Sequence, residues 1–344
     1  MPPLPWEVSA APQKALWVPP FLRSDVPSGR SICYNKLMDT RYAGRFAPSP
    51  SGYMHMGNLL AMLLAWLDIR ARNGRLIFRM EDLDPARSKP VYMDALASDL
   101  RWLGLDWDEG YPAPGYSQSE RTDIYQDFFS RLQGMDLVYP CFCTRADRLA
   151  AASAPHPGES DVDRGCPCRR LSRAQARAMM DAGQRPAWKV RVPELDVTVL
   201  DGHYGPLTRN LRRDDGDFIV RRRDGVFAYQ LAVSVDDMLM GVTRVVRGRD
   251  LLSSAPRQAW LIGVLDGTPP AYCHAPLLTA GQGKLSKRLG SMSTQAFRQE
   301  LSPEALVGRL AHLCGLTDTD EPVPPSALIP GFSWDKVKTE DIPV

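Results

Sequence analysis

The stretch that decides the fold is Arg45-Phe-Ala-Pro-Ser-Pro-Ser-Gly-Tyr-Met-His-Met-Gly-Asn58. Its two prolines stiffen the backbone where a short apolar strand ends, and Gly57 lets the main chain approach a ligand closely. An apolar helix is predicted to begin at Leu59. Because unpaired N–H groups at a helix start favour an anion, and because His55 can donate to a phosphate oxygen, this stretch indicates a phosphate-binding turn.

A second segment, Lys284-Leu-Ser-Lys-Arg288, lies far along the chain and follows two glycines. The glycines predict a mobile loop that carries Lys284 and Lys287 with the hydroxyl of Ser286 between them. Positioned cations of this kind stabilise the charge on a phosphate during its transfer. A basic run alone is usually a solvated face, and a lone histidine in a Pro/Gly loop is usually a surface residue. Together, in this order, the two segments favour a nucleotide site.

Composition sets modest bounds on function. The chain has 344 residues and a net charge of +2, which neither favours nor excludes a nucleic-acid partner. No apolar run approaches the 18 residues of a membrane span, so we expect a cytoplasmic protein. We also expect it to be a monomer. Residues 1–40 are proline-rich without a secretory h-region, which predicts a flexible extension or a mis-assigned start with Met38 as initiator.

From Tyr42 onward, strand-like and helical patterns alternate. We predict a strand over Arg75–Met80 and helices over Pro90–Leu103 and Arg121–Gln133. Alternation of this kind is typical of an α/β fold with a parallel sheet, whose ligand binds at the carboxyl ends of the strands.

Four cysteines form two close pairs, Cys141-Phe-Cys143 and Cys166-Pro-Cys168. Without a secretory signal, two pairs with a loop between them favour a tetrahedral Zn²⁺ site over disulfides. Four unliganded thiols or two strained disulfides are the alternative. His156 is the rival fourth ligand.

The two segments quoted above resemble the HIGH and KMSKS signatures of class I aminoacyl-tRNA synthetases. From Tyr42 to about Leu316 the chain resembles the catalytic domain of glutamyl-tRNA synthetases. The motifs that carry this resemblance are Arg79–Pro85, Asp217–Gly225, Ala228–Val233, Val235–Asp237 and Val246–Leu251. It implies a Rossmann-like parallel-sheet nucleotide-binding domain over residues 41–300, a zinc-binding insertion at about 139–190 and a short helical C-terminal segment over 301–344.

The resemblance also implies the residues of the site. Glutamate has two carboxylates and one ammonium, so its pocket needs a cationic fork and an acidic acceptor. The implied glutamate site is Arg45, Ala47, Ser49, Glu81, Tyr229 and Arg247, with the two arginines on carboxylate and Glu81 on the ammonium. The implied ATP site is His55, Gly57, Asn58, Lys284, Ser286 and Lys287. Of these, His55 and Lys287 are the expected catalytic residues, acting with ATP-bound Mg²⁺.

Residues 289–344 are too few for an anticodon-binding domain with its connecting helices. In this the chain resembles a shortened paralogous group that transfers glutamate to the queuosine base in the anticodon of tRNA(Asp). That group has a tyrosine ligand where this chain has Arg164, so Cys166 is expected to replace it. The alternatives are a glutamyl-tRNA synthetase that charges a tRNA 3′ end with a separate anticodon-binding partner, a non-enzymatic tRNA-binding homologue, and another nucleotidyltransferase of the superfamily.

Overall fold

The computed structural model describes residues 31–34, 42–144, 166–279 and 292–344. The strands are β1 (Ser31–Tyr34), β2 (Ala43–Phe46), β3 (Arg75–Phe78), β4 (Glu109–Gly110), β5 (Val138–Cys141), β6 (Ala187–Val190), β7 (Asp196–Asp201), β8 (Gly205–Asn210), β9 (Ile219–Arg221), β10 (Arg244–Gly248), β11 (Ala271–Ala275), β12 (Leu278–Thr279) and β13 (Ile342–Pro343). The helices are α1 (Met56–Arg70), α2 (Pro90–Trp102), α3 (Thr122–Gly134), α4 (Arg173–Asp181), α5 (Tyr229–Leu239), α6 (Ala255–Val264), α7 (Thr294–Glu300), α8 (Pro303–Cys314) and α9 (Pro325–Leu328).

Parallel strands form the centre of the fold. One sheet has the order β1-β7-β11-β10, with β8 antiparallel to β7, and a second has the parallel order β2-β3-β4. The two sheets meet where Thr243 N donates to Ala43 O at 2.9 Å and Arg45 Nη1 donates to Val246 O at 2.9 Å. The predicted α/β fold with a parallel sheet is therefore confirmed. The carboxyl ends of β2 and β10 lie side by side, which is where such sheets bind ligands.

Helix α1 closes one face of the junction between the sheets. Its leucines, among them Leu59, Leu60, Leu63 and Leu64, are fully buried against β2, β3 and β10. Burial of each such side chain stabilises the fold by about 1.5–3 kcal/mol. A second cluster of buried apolar residues lies under α3, α5 and α6. Across the described ranges, no helix combines the length and apolar character that crossing a membrane requires.

The boundaries of the predicted elements hold to within one or two residues, except at α1. The strand from Arg75 ends at Phe78, and the helix from Pro90 ends at Trp102. Helix α1 begins at Met56, so the predicted start at Leu59 is wrong. The reason is a cap, because His55 N donates to Asn58 Oδ1 at 3.2 Å and starts the helix one turn earlier.

Two segments near the chain ends join the folded domain. In the predicted N-terminal extension, strand β1 pairs in parallel with β7. In the predicted C-terminal segment, α8 and α9 are followed by β13, which pairs in parallel with β12. Ile342 N donates to Leu277 O at 2.8 Å, and Val344 N donates to Thr279 O at 3.0 Å.

Candidate active site

A cavity of about 840 Å³ opens at the carboxyl ends of β2 and β10. Every described residue of the two implied binding sites lines it. These are Arg45, Ala47, Ser49, His55, Gly57, Asn58, Glu81, Tyr229 and Arg247. Lys284, Ser286, Lys287 and the rival zinc ligand His156 lie outside the described residues. Residues separated by up to 202 positions in the sequence thus line one cavity.

One end of the cavity carries a buried network of alternating charge. Arg79 lies behind the wall, where its Nη1 donates to Asp237 Oδ1 at 2.7 Å and its Nη2 to Glu81 Oε1 at 3.1 Å. Arg45 Nε lies 3.5 Å from the same Asp237 oxygen. The Arg79 guanidinium and the Asp237 carboxylate hold Arg45 and Glu81 in fixed positions at the cavity surface. Arg45 and Glu81 therefore present one positive and one negative group to the same ligand.

Burial sets the direction of the pKa shift at Arg45 and Glu81, the two members of the network that line the cavity. It lowers the pKa of Arg45, and it raises the pKa of Glu81 although Arg79 and Arg45 oppose that shift. Behind Glu81, the carboxylate of Asp236 accepts from Arg121 Nε at 2.7 Å and from Tyr125 OH at 2.8 Å. A substrate ammonium beside Glu81 would favour the ionised carboxylate.

Arg247 lines the same cavity from β10. Its Nη1 donates to Gln258 Oε1 at 2.8 Å, its Nη2 to Leu251 O at 3.2 Å and its Nε to His274 Nε2 at 3.0 Å. Nη1 also lies 3.5 Å from the hydroxyl of Tyr229, whose pKa burial raises. Tyr229 is therefore a neutral phenol at neutral pH, available as a hydrogen-bond donor.

The other end of the cavity is formed by the turn between β2 and α1. His55 precedes the first turn of α1, where Gly57 and Asn58 also face the cavity. His55 forms an isolated antiparallel bridge with Ser293, and Leu278 and Thr279 line the cavity. The described residues on both sides of the predicted lysine loop therefore lie at this end. Free N–H groups of the first turn, with the helix dipole, favour a phosphate here.

The four paired cysteines converge in a separate cluster beyond β5. Their sulfur atoms all lie within 4.8 Å of one another. The Sγ atoms of Cys141 and Cys166 are 3.4 Å apart, and those of Cys143 and Cys168 are 3.6 Å apart. None of the four forms a disulfide, so the disulfide alternative is not realised. The sequence pattern correctly predicted that the pairs meet, with Cys166 among them.

Sequence reasoning missed the residues that support the site from behind. Asp236 and Asp237 were noted only as part of a family motif, and His274 and Gln258 were not singled out. A signal was present for the two aspartates, since they sit in helix α5 directly after Leu231–Val235, a buried run that is apolar except for Ser234. Acidic residues in such a run are almost never buried unless they are paired.

Comparison with known proteins identifies one matching family and several similar relatives. The family model for the catalytic domain of class I tRNA synthetases (E and Q) matches residues 42–322. The chain is 47% identical to the glutamyl-Q tRNA(Asp) synthetase of Symbiobacterium thermophilum, across 87% of this chain and 94% of that protein. It is 46% identical to the protein of the same name from Nitratidesulfovibrio vulgaris, across 79% and 86% of the two chains.

Longer relatives match over a smaller part of their length. Glutamate–tRNA ligase 2 of Alkalilimnicola ehrlichii is 39% identical across 80% of this chain, but the match covers 59% of that enzyme. Among solved structures, the glutamate tRNA ligase of Elizabethkingia meningosepticum in complex with its amino acid superposes with a TM-score of 0.75 at 25% identity. The match covers 88% of this chain and 67% of the ligase.

Proposed function

The chain belongs to the class I tRNA synthetases of the E and Q group, and we propose that it activates L-glutamate with ATP and transfers it to the queuosine base of tRNA(Asp). The main observation in support of this proposal is that Arg45, Glu81 and Arg247 line the same cavity as the turn that precedes α1. This arrangement joins a site for a dicarboxylic amino acid to a site for phosphate. The relatives that the chain matches across most of their length carry the name glutamyl-Q tRNA(Asp) synthetase.

Selection of glutamate follows from the charges of the wall. Two guanidinium groups suit two carboxylates, and Glu81 suits the ammonium. Glutamine would place its own NH₂ donors against an arginine that can only donate. A site built for one hydrogen-bonding pattern rejects the analogue that leaves its groups unpaired, so glutamine should be a poor substrate.

In the first step, an oxygen of the glutamate α-carboxylate attacks the α-phosphorus of ATP. The bond to the pyrophosphate oxygen breaks, which yields glutamyl-adenylate and pyrophosphate. His55 and the N–H groups that open α1 donate to the phosphates, and Lys287 neutralises the charge that the transition state gathers. Mg²⁺ bound with ATP would neutralise further phosphate charge.

In the second step, a hydroxyl of the queuosine cyclopentenediol attacks the carbonyl carbon of the adenylate. The ester bond forms as the bond to the phosphate oxygen breaks and AMP leaves with the electron pair. The described cavity offers no dedicated general base beside its carboxylates, and an activated acyl donor of this kind can react without one. The queuosine base would reach the cavity as part of the anticodon loop, where unpaired bases can be splayed out of the stack.

The cysteine cluster supports a structural Zn²⁺ site. Four sulfurs at the usual Zn–S distance of about 2.3 Å occupy the corners of a tetrahedron about 3.8 Å apart. The Sγ–Sγ separations of 3.4 and 3.6 Å are close to this spacing, and four thiolates close the coordination shell. We propose that Cys141, Cys143, Cys166 and Cys168 hold one Zn²⁺ that ties the end of β5 to the turn after residue 165.

The experiment is glutamate-dependent ATP–pyrophosphate exchange, followed by transfer of labelled glutamate to tRNA. We expect label on tRNA(Asp) that carries queuosine and none on unmodified tRNA(Asp). Nuclease digestion should then recover the label in the anticodon fragment. Label in the 3′-terminal fragment of tRNA(Glu) would instead establish the alternative, a glutamyl-tRNA synthetase with a separate anticodon-binding partner.

A further inference from the structure

Behind the cavity, three side chains form a row across neighbouring strands. Asp201 ends β7, His274 lies on β11 and Arg247 lies on β10, directly opposite His274 in the parallel register. His274 Nδ1 is 2.6 Å from Asp201 Oδ2, and Arg247 Nε is 3.0 Å from His274 Nε2. Of the three, only Arg247 lines the cavity. His274 has no exposed surface, and Asp201 is 2% exposed.

The chemistry of the row fixes the proton on His274. Arginine has donors only, so His274 Nε2 must accept, and the ring proton must sit on Nδ1 and be donated to Asp201. The other oxygen of Asp201 accepts the backbone N–H groups of His203 and Tyr204, each at 3.0 Å, which orients the carboxylate. Consistently, burial lowers the pKa of His274. Burial acts to raise the pKa of Asp201, but the hydrogen bond from His274 and the two backbone donors outweigh it and lower that pKa. The imidazole is therefore neutral in a single tautomer.

We propose that Asp201 and His274 are positioning residues that orient the Arg247 guanidinium toward a carboxylate of glutamate. His274 holds Nε, while Gln258 and Leu251 accept from Nη1 and Nη2, and the remaining N–H groups are left for substrate. The inference rests on the proposed function, because it takes Arg247 as a ligand of glutamate. It adds that glutamate affinity depends on the tautomer of a histidine that does not line the cavity.

The decisive variant is Asp201→Asn, which preserves shape. The asparagine oxygen would keep the backbone N–H groups, so its NH₂ would face His274 Nδ1. The ring would then carry its proton on Nε2, pointed at the Arg247 N–H. Because an oriented hydrogen bond to a charged group is lost, we expect the KM for glutamate to rise about 10- to 100-fold. The KM for ATP and kcat should change by no more than about 3-fold. The lost interaction binds glutamate equally in the ground state and the transition state, so its loss raises the KM for glutamate alone.

A matched pair at His274 separates positioning from packing. His274→Gln can offer an amide oxygen to Arg247 Nε and should recover most of the affinity that His274→Leu loses. As a control, Asp68→Asn changes another fully buried carboxylate, which accepts from Trp334 Nε1 and Arg244 Nε. The control should lower the Tm and leave the KM for glutamate unchanged. In ¹⁵N NMR, His274 should be protonated at Nδ1 in the wild type and at Nε2 in Asp201→Asn.

The outcomes distinguish failure of the proposed function from failure of the positioning role. If the wild type fails to activate glutamate, the proposed function falls. If the wild type is active and folded Asp201→Asn keeps the wild-type KM for glutamate, the positioning role is wrong. Equal KM values for His274→Gln and His274→Leu would overturn it as well, and this pair decides the question should Asp201→Asn not fold.

Discussion

Replacement of Glu81 by glutamine tests the recognition of the substrate ammonium. Glu81 is 9% exposed, lines the cavity and is held through Oε1 by Arg79, a bond that a glutamine oxygen can also accept. The change therefore removes one negative charge with little change of shape. A hydrogen bond to a charged group contributes about 1.5–3 kcal/mol. At about 1.4 kcal/mol per factor of ten, the KM for glutamate should rise about 10- to 100-fold.

The pH dependence gives the same test a second readout. Burial raises the pKa of Glu81, so the folded protein takes up a proton here at a higher pH than an ordinary glutamate, whose pKa is about 4.3. Only the ionised carboxylate attracts an ammonium. The KM for glutamate in the wild type should therefore rise as the pH falls toward that raised pKa, and the Glu81→Gln variant should lack this dependence.

Both effects are measured by glutamate-dependent ATP–pyrophosphate exchange across a pH series. Glu109→Gln is the matched control, because Glu109, on β4, pairs with Arg75 and Tyr116 and does not line the cavity. It should leave the KM for glutamate unchanged at every pH. If Glu81→Gln behaves like this control, Glu81 does not bind the ammonium and the orientation of glutamate argued above is refuted.

Three further variants test the remaining parts of the site. Lys287→Ala should slow pyrophosphate exchange about 100-fold or more, as loss of a positioned electrostatic group does, and near wild-type exchange would remove the lysine loop from the mechanism. Arg247→Ala should raise the KM for glutamate at least about 100-fold, because two charge-assisted bonds are lost together; equal activation of glutamine and glutamate by the wild type would contradict the carboxylate role. Cys166→Ser should lower the zinc content of the purified protein below one equivalent, measured by metal analysis, whereas full occupancy would point to another fourth ligand.

Much of the cavity could be predicted from the sequence because its parts lie in contiguous motifs. The turn that carries Ala47, Ser49 and His55 follows a strand directly, and strand ends in parallel sheets collect at one edge. The convergence of the cysteine pairs was predictable for a similar reason, since four soft ligands in two close pairs suit one metal. These predictions needed no knowledge of how the strands are ordered.

The supporting roles of Asp201 and His274 could not be predicted because they depend on strand order and register. Asp201, His274 and Arg247 meet only because β7, β11 and β10 are neighbours, an order that differs from their order in the chain. The strand at Ser31–Tyr34 is similar, since nothing in the proline-rich segment around it indicates a strand without its partner β7. In both cases tertiary pairing overrides the local pattern.

The cavity wall is joined by contacts between residues that are far apart in the chain. Arg45 donates to the backbone of Val246, and Thr294 N donates to Met54 O. Contacts between residues this far apart close long loops, so the cavity depends on the complete tertiary fold and not on a single local segment. Ligands that bind only the folded protein stabilise it by mass action, so glutamate and ATP should raise its Tm. At a hundredfold excess over Kd, the free energy of unfolding increases by about 2.7 kcal/mol. Ligand supply in the cell would accordingly protect the whole domain from proteolysis and not merely order a loop.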